Sequence, residues 1–316
     1  MTTAFVFPGQ GSQSVGMGKD LADTFAEAAA VFAEVDDALG EKLSDTIWNG
    51  PDEALTLTAN AQPALMAVSI AVVRVLEAKG YDLAANGKYA AGHSLGEYSA
   101  YAACGTFSIS DTAKLLRTRG NAMQAAVPSG EGAMAAIIGL DAHTVTDVCE
   151  RIAAETSSCC QIANDNGGGQ LVISGSKAAV EKAAAELKEA GAKRALLLPV
   201  SAPFHSALME PAASVMEKAL SEVATTSPSL PIIANVRVAA VSEPTEIVSC
   251  LVEQVTGQVR WRETVEWFAA NGVTQLVEIG SGKVLSGLAK RIDRSINAVA
   301  LSSPSDIDAF LAAQAT

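Results

Sequence analysis

The apolar positions of the chain first form a short continuous run and then repeat with helical spacing. Residues 4–7 are a continuous apolar run that ends at Pro8-Gly9, a pattern typical of a buried strand entering a loop. Helical spacing follows at residues 20–39 and 63–78, and residues 88–91 form a short strand-like run before a glycine-flanked turn. Strands that alternate with helices of this length predict an α/β fold with a parallel sheet.

The middle third of the chain has a different order of elements. Strands are predicted at residues 133–138, 160–163, 171–174 and 194–198, and helices at residues 142–155 and 176–190. The resulting order, β-α-β-β-α-β, is that of a ferredoxin-like α+β unit.

Helical and strand-like segments resume after Pro199. Helices are predicted at residues 207–224 and 261–271, and strands at residues 232–234 and 275–279. With 316 residues the chain exceeds the ~150 residues typical of one domain. We therefore expect a large, discontinuous α/β domain formed by residues 1–128 and 199–316, with a ferredoxin-like small domain of residues 129–198 inserted into it.

Composition narrows the function classes. The chain has 22 basic and 35 acidic residues and a net charge of −13. Its overall electrostatic field therefore argues against binding to nucleic acid or to an anionic membrane. No apolar run approaches the ~18 residues of a membrane span, and the N-terminus lacks the basic segment and apolar length of a secretory signal. The five cysteines include no C-x-x-C pair, as is common in a reducing compartment. We expect a soluble, cytoplasmic globular protein.

The sharpest chemical signal is Gly-His-Ser-Leu-Gly at residues 92–96, a G-x-S-x-G pattern. In a strand-to-helix elbow of this kind the serine hydroxyl projects at the helix N-terminus, where unpaired N–H groups and the helix dipole stabilise an oxyanion. The pattern alone also fits a glycine-rich turn with an incidental serine. The strand predicted before it and the helix predicted after it favour Ser94 as a nucleophile.

A serine nucleophile needs a base, and the chain has three histidines. His93 adjoins Ser94, so its side chain should point away from the serine hydroxyl, and His143 begins an exposed helix in the small domain. His205 lies between a strand and a helix where the chain returns to the large domain. Elimination favours His205 as general base, the alternative being a structural histidine. Spacing does not identify a carboxylate that would orient it.

The loop at residues 7–13 follows the first predicted strand directly. It is not a nucleotide loop, because Ser14 replaces the last glycine of G-x-G-x-x-G and Met17 replaces the lysine of a Walker A motif. At the carboxyl edge of a parallel sheet it could supply a backbone N–H to an oxyanion, or it could be a plain connection.

Two arginines follow on the helix after the elbow. Arg117 should face water, as helix arginines usually do. Arg119, beside Gly120, could instead reach inward and pair with a substrate carboxylate through a two-pronged hydrogen bond. Spacing alone does not decide between these positions.

The chain resembles the malonyl-CoA:acyl-carrier-protein transacylase family in four places taken together. These are residues 9–13, the elbow followed by Glu97, Arg119, and the pair Phe204-His205. The resemblance runs essentially end to end and includes residues 61–64, 130–140 and 280–285. It implies a hydrolase-like large domain with a parallel sheet and a ferredoxin-like insert. It also implies that Ser94 is acylated by malonyl-CoA, and that His205 acts first as base and then as acid.

The same resemblance implies further site residues. Backbone N–H groups of Gln10 and Leu95 would form the oxyanion hole, while Arg119, with Gln62, would bind the malonyl group. A main-chain carbonyl, that of Gln254, would orient the histidine.

The position before the histidine is expected to set acyl specificity. Relatives that accept methylmalonyl groups typically carry a smaller residue there, so Phe204 favours unbranched malonyl.

The resemblance implies malonyl-CoA and an acyl carrier protein as partners, with a role in fatty-acid synthesis. We expect a monomeric enzyme that uses no metal and no cofactor. Because carrier and enzyme are both acidic, we expect a local basic docking patch, with Lys283, Lys290 and Arg291 as candidates.

Two other functions remain open on the residues alone. A serine thioesterase or esterase could use the same elbow, although a neutral-ester hydrolase has no evident use for Arg119. A non-catalytic scaffold that binds a carrier protein is the second alternative, and it predicts no acyl adduct on Ser94.

Overall fold

The computed structural model describes residues 1–200 and 202–314, so that positions 201, 315 and 316 of the predicted large domain lie outside the described residues. Its strands are β1 (Thr3–Phe7), β2 (Tyr89–Gly92), β3 (Gly132–Ile138), β4 (Cys160–Asp165), β5 (Gln170–Ser176), β6 (Arg194–Leu197), β7 (Ile232–Ile233), β8 (Ala240–Val241), β9 (Gln275–Ile279) and β10 (Asn297–Leu301).

Helices connect most of these strands. They are α1 (Lys19–Thr24), α2 (Ala26–Leu39), α3 (Leu43–Asn49), α4 (Asp52–Thr56), α5 (Thr58–Ala78), α6 (Leu83–Asn86), α7 (Leu95–Ala103), α8 (Ile109–Ala125), α9 (Ala142–Thr156), α10 (Lys177–Glu189), α11 (Glu210–Ser221), α12 (Pro244–Thr256), α13 (Trp261–Ala270), α14 (Val284–Ile292) and α15 (Pro304–Gln314). The protein is therefore α/β, as the alternation of patterns predicts.

The larger sheet has the strand order β10-β9-β1-β2-β7-β8, and its pairs are parallel except for the antiparallel pair β7–β8. Phe7 at the end of β1 lies opposite Gly92 at the end of β2. Because carboxyl ends of parallel strands meet at one edge, the loop after β1 and the turn after β2 become neighbours there.

Strand β1 shows why its sequence is a continuous apolar run rather than an alternating one. Phe5 and Phe7 belong to the main core cluster, whereas Ala4 and Val6 belong to a second cluster that includes Trp261. Both faces of the strand are thus covered, as is typical of a parallel sheet enclosed by helices.

The smaller sheet is antiparallel, with the order β4-β5-β3-β6. Its element order is β3-α9-β4-β5-α10-β6, which is the β-α-β-β-α-β order expected from the sequence. A separate core cluster that includes Val145, Ile173 and Val180 lies between this sheet and its two helices.

The smaller sheet is joined to the chain segment after α12 by backbone hydrogen bonds. Val259 donates to the Ala163 carbonyl at 2.8 Å and accepts from the Asp165 N–H at 3.0 Å. A salt bridge between Arg262 and the buried Asp165, 2.8 Å, supports the same junction.

Helix α5 is long and apolar enough to cross a membrane by length and composition, but 83% of its most apolar window is buried inside the protein. It packs against α2, α7 and α8, so its apolar character belongs to the core.

Two helix predictions are wrong in detail. Residues 20–39 are not one helix, because Phe25 adopts an extended conformation (φ −125°, ψ 124°) between α1 and α2. Residues 207–224 begin with a short 3₁₀ turn at Ala207–Met209, and only Glu210–Ser221 is α-helical. Apolar periodicity does not register a one-residue break or a change of helix type.

Candidate active site

The turn at residues 92–96 is a strand-to-helix elbow between β2 and α7. Ser94 is the N-cap residue of α7 and has left-handed backbone geometry (φ 54°, ψ −114°), which is costly for a residue with a side chain. Asn235 holds this conformation, because its Oδ1 accepts from the Ser94 N–H at 2.8 Å and its Nδ2 donates to the Gly92 carbonyl at 2.7 Å.

Gly96 allows the elbow to approach the loop that follows β1. A Cβ atom at this position would lie 2.2 Å from the Phe7 carbonyl oxygen. Any larger residue would therefore push the first helical turn away from the loop that carries Gln10.

The Ser94 hydroxyl contacts His205. The distance from Ser94 Oγ to His205 Nε2 is 2.7 Å, and His205 Nδ1 lies 2.9 Å from the Gln254 carbonyl oxygen and 3.1 Å from that of Gly257. Carbonyls only accept hydrogen bonds, so Nδ1 carries the proton and the Nε2 lone pair faces the hydroxyl. Burial, reinforced by the charge of Arg119, lowers the pKa of His205 to about 3. The imidazole is therefore neutral and able to accept a proton.

Arg119 is buried beside the same hydroxyl. Its guanidinium donates to Gln62 Oε1 at 2.9 Å, to Gln254 Oε1 at 2.8 Å and to Ser94 Oγ at 3.2 Å, and it lies 5.7 Å from the centre of the Tyr98 ring. Burial lowers the pKa of Arg119, but a guanidinium stays protonated in proteins. A permanent positive charge thus lies next to the hydroxyl in a water-poor site.

Gly120 explains how α8 brings this arginine inward. A Cβ atom there would lie 2.6 Å from Ala59 Cα, so the glycine lets α8 pack closely on the start of α5. The close approach puts Arg119 within reach of Gln62, which is on α5.

Gln10 and Leu95 lie at the edge of the same space. Leu95 is the first residue of α7, where N–H groups have no acceptor inside the helix. Across residues 1–200 and 202–314, neither backbone N–H donates to a protein acceptor. Both donors are therefore available to an oxygen bound near Ser94.

A cavity of about 450 Å³ joins these groups. Its polar lining includes Gln10, Gln62, Ser94, Arg119 and His205. Its apolar wall is formed by residues of several elements, including Phe204, Leu198, Val200, Leu285 and Leu288. Gln254 reaches the site through its contacts with Arg119 and His205. A small acyl group can be held here with its polar end toward Arg119.

Lys283, Lys290 and Arg291 are exposed on or just before α14, the helix that supplies part of the apolar wall. Within the described chain, none of the three forms a salt bridge. They lie near the site but not in it.

The other histidines and Arg117 occupy different surroundings. His93 bonds Asn166 Oδ1 through Nε2 at 2.9 Å and lines the cavity without contacting the Ser94 hydroxyl. His143 is exposed and pairs with Asp147. Arg117 bonds Asn60 and Glu41 at the surface side of α8.

Two buried residues of the site were given no role from the sequence. Asn235 clamps the elbow, and Glu97 Oε2 accepts from Gln254 Nε2 at 2.8 Å and from the Asn235 N–H at 3.2 Å. Burial raises the pKa of Glu97 to about 7. In the sequence, only the position of Glu97 directly after the elbow could have indicated a role for it. Asn235 comes shortly after β7 and has no motif around it.

In the described part of the chain no group of three or more histidine, cysteine or acidic side chains is arranged to hold a metal ion. The reactive groups of the site are a serine hydroxyl, a neutral imidazole, two backbone N–H donors and a buried cation. Such a set can attack an acyl group and bind an anionic substituent beside it.

Comparisons with known proteins agree with this arrangement. Residues 4–298 match the acyl transferase domain family. The malonyl CoA-acyl carrier protein transacylase of Haemophilus influenzae is 47% identical over 97% of each chain. The crystal structure of the acyl-carrier-protein-S-malonyltransferase from Bartonella henselae is 61% identical over the full length of both chains, with a TM-score of 0.97.

A malonyl-transacylase solved in complex with a type II PKS acyl-carrier protein is 43% identical, with a TM-score of 0.95 over 99% of this chain and 100% of that one. Its agreement in fold with the chain extends over both sheets. Together, these matches show that the chain belongs to the malonyl CoA-acyl carrier protein transacylase family.

Proposed function

We propose that the protein moves a malonyl group from malonyl-CoA to the phosphopantetheine thiol of an acyl carrier protein, through an ester on Ser94. Relatives with full-length coverage carry that activity in their names, and one was solved with a carrier protein bound. The observation that carries the proposal in this chain is the contact between Arg119 and the Ser94 hydroxyl, 3.2 Å.

That contact selects a short dicarboxylic acyl group. The guanidinium that would hold the distal carboxylate touches the atom that attacks the thioester carbonyl, so the two ends of the substrate must lie close together. In malonyl a single methylene separates carboxylate and thioester carbonyl. Binding at Arg119 therefore orients the carbonyl against Ser94, which supplies much of the advantage of an intramolecular reaction.

In the first half-reaction Ser94 Oγ attacks the thioester carbon while its proton moves to His205 Nε2. The backbone N–H groups of Gln10 and Leu95 stabilise the oxyanion of the tetrahedral intermediate. As the intermediate collapses, the carbon–sulfur bond breaks and the imidazolium returns the proton to the departing CoA sulfur. The Gln254 and Gly257 carbonyls stabilise the imidazolium that forms in between.

The second half-reaction runs the same steps in reverse. The carrier's thiol gives its proton to His205 and attacks the malonyl ester, and Ser94 leaves with that proton restored. The site groups alone account for both steps, so we propose that no metal or redox cofactor takes part.

We further propose that Phe204 restricts the site to unbranched malonyl. Its side chain is 92% buried on the cavity wall directly before His205, where a 2-methyl group would need room. Gln62 fixes one side of the Arg119 guanidinium and so belongs to the binding site.

The docking patch for the carrier would consist of Lys283, Lys290 and Arg291. These cations are exposed beside α14, whose other face lines the cavity, so a carrier seated on them could direct its thiol inward. Because the chain carries a net charge of −13, a local basic patch would favour its encounter with an acidic partner.

We propose a cytoplasmic monomer in which a hydrolase-like domain of residues 1–128 and 199–316 carries the catalytic pair, with residues 129–198 as a ferredoxin-like insert. The strand order β4-β5-β3-β6 and its own core cluster support the insert.

Mass spectrometry of the intact protein after mixing with malonyl-CoA tests the proposal. We expect a malonyl adduct that maps to Ser94, is absent from Ser94→Ala, and disappears on addition of holo acyl carrier protein as malonyl-carrier accumulates. Rapid release of malonate without carrier would instead indicate a thioesterase. Absence of any adduct or turnover would indicate a carrier-binding scaffold.

A further inference from the structure

Gln254 connects the parts of the site through both ends of its side chain. Its Oε1 accepts from Arg119 at 2.8 Å, and its Nε2 donates to the Ser94 carbonyl at 2.9 Å and to Glu97 Oε2 at 2.8 Å. Its main-chain carbonyl separately accepts from His205. The orientation of the amide therefore affects Arg119, while the backbone of the same residue affects the base.

The orientation of the amide is fixed by what surrounds it. A reversed amide would place an NH₂ group against the Arg119 cation and an oxygen against Glu97 and the Ser94 carbonyl, which is unfavourable at all three contacts. Glu97 is the only side chain among the described residues that accepts from Gln254 Nε2.

Glu97 is itself placed with little freedom. It is fully buried in the first turn of α7, and the same Oε2 atom also accepts from the Asn235 N–H at 3.2 Å. Asn235 in turn holds the elbow through its side chain. One carboxyl oxygen thus links the elbow clamp to the residue that contacts Arg119.

We propose that Glu97 is a positioning residue for malonyl recognition: through Gln254 it fixes the Arg119 guanidinium at the distance that fits a malonyl carboxylate. This inference rests on the proposed function, because it assigns Glu97 a part in binding that substrate. Glu97 does not contact the substrate.

The role belongs to the acceptor oxygen rather than to the negative charge. Glu97 Oε1 has no hydrogen-bond partner within the described residues, and only Oε2 is used. Burial raises the pKa of Glu97 to about 7, so the neutral acid, which keeps an acceptor oxygen, lies close in energy at neutral pH.

Two substitutions separate acceptor from charge. Glu97→Gln keeps the shape and one acceptor oxygen, and Glu97→Met keeps similar length without an acceptor. For each we would measure the rate of Ser94 malonylation across malonyl-CoA concentrations. We would also measure the rate of Ser94 labelling by an uncharged alkyl fluorophosphonate, which needs Ser94 and His205 but has no carboxylate for Arg119.

We expect Glu97→Met to lose malonylation efficiency by about tenfold, the usual effect of leaving a buried hydrogen-bond donor without its acceptor, with fluorophosphonate labelling changed by less than about threefold. We expect Glu97→Gln to restore malonylation to within about threefold of the wild type. Equal loss in both assays, loss in neither, or failure of the glutamine variant to restore malonylation would each overturn the proposal.

Gln254→Met provides a second route if Glu97→Met does not fold. It removes the amide that Glu97 holds, together with the bonds of that amide to Arg119 and to the Ser94 carbonyl, and it keeps the main-chain carbonyl that bonds His205. Malonylation should therefore fall by a larger factor than fluorophosphonate labelling does. In a foldable double variant the two losses should not add, because they act through one connection. A wild-type protein that labels with fluorophosphonate but never with malonyl would refute the proposed function itself, whereas malonylation of the wild type with unaffected variants would refute only the role of Glu97.

Discussion

Replacement of Arg119 by alanine tests the binding part of the site most directly. The guanidinium is 99% buried and makes contacts to Gln62, Gln254 and the Ser94 hydroxyl that no neighbouring cation could replace. Removing it eliminates the only cation among the described residues that line the cavity. We therefore expect a selective loss of acyl groups that carry a carboxylate.

The size of the loss follows from the hydrogen bonds a carboxylate would form. Two charge-assisted bonds at about 1.5–3 kcal/mol each give about 3–6 kcal/mol, which corresponds to a loss of about 10²–10⁴ in kcat/KM for malonyl-CoA. Arg119→Lys should fall between the alanine variant and the wild type, since an ammonium keeps the charge but cannot bond Gln62 and Gln254 in the planar geometry that the guanidinium uses.

The assay is the rate of Ser94 acylation by malonyl-CoA and by acetyl-CoA, followed by mass spectrometry. Arg117→Ala is the matched control, because Arg117 lies on the same helix, bonds Asn60 and Glu41, and does not line the cavity. We expect acetyl transfer by the Arg119 variant to fall far less than malonyl transfer, and both rates to be unchanged in the control. Malonyl transfer within about threefold of the wild type, or an equal fall for both acyl groups, would refute the reasoning.

The remaining predictions concern the base, the cavity wall and the patch. His205 binds a proton below pH 6.5 in the unfolded chain, but only near its pKa of about 3 in the folded protein. The contribution of this group to the free energy of unfolding is therefore full above pH 6.5 and is lost as the pH falls toward 3. The free energy of unfolding of the wild type should therefore decrease relative to that of His205→Ala over this window, and parallel curves would contradict the assignment. Phe204→Ala should raise the ratio of methylmalonyl to malonyl acylation by at least about tenfold, and an unchanged ratio would show that Phe204 does not restrict the site. Reversing the charges of Lys283, Lys290 and Arg291 should raise the KM for the carrier protein and leave acylation by malonyl-CoA intact, and equal loss in both half-reactions would argue against a docking role.

The main architecture could be predicted because it depends on local patterns. The continuous apolar run of β1 and the glycines of the elbow reflect burial on two faces and close backbone approach, which are properties of short segments. The meeting of Ser94 and His205 followed from elimination among three histidines. The sequence did not decide whether Arg119 points inward. Helical spacing shows which residues share a face of the helix, but not which residues that face contacts.

The parts that could not be predicted depend on contacts between distant segments. Asn235 is 141 residues from Ser94 along the chain, and Gln254 is 157 residues from Glu97. Asn235 belongs to no motif whose chemistry would reveal it. For Gln254 the family resemblance implied only the main-chain carbonyl, and not the contacts of its side-chain amide. Such residues become apparent only when the folded chain shows which buried polar atoms they satisfy.

The backbone junction at Val259 has a mechanical consequence for this enzyme. Val259 is hydrogen-bonded to β4 through both its N–H and its carbonyl, and Gly257, two residues earlier, supplies a carbonyl to His205. If the antiparallel sheet tilted away from the catalytic pair, it would either break those two backbone bonds or displace the Gly257 carbonyl that bonds His205. Widening of the cavity for a bulky thioester should therefore come from movement of side chains such as Leu198 and Val200 rather than from a tilt of that sheet.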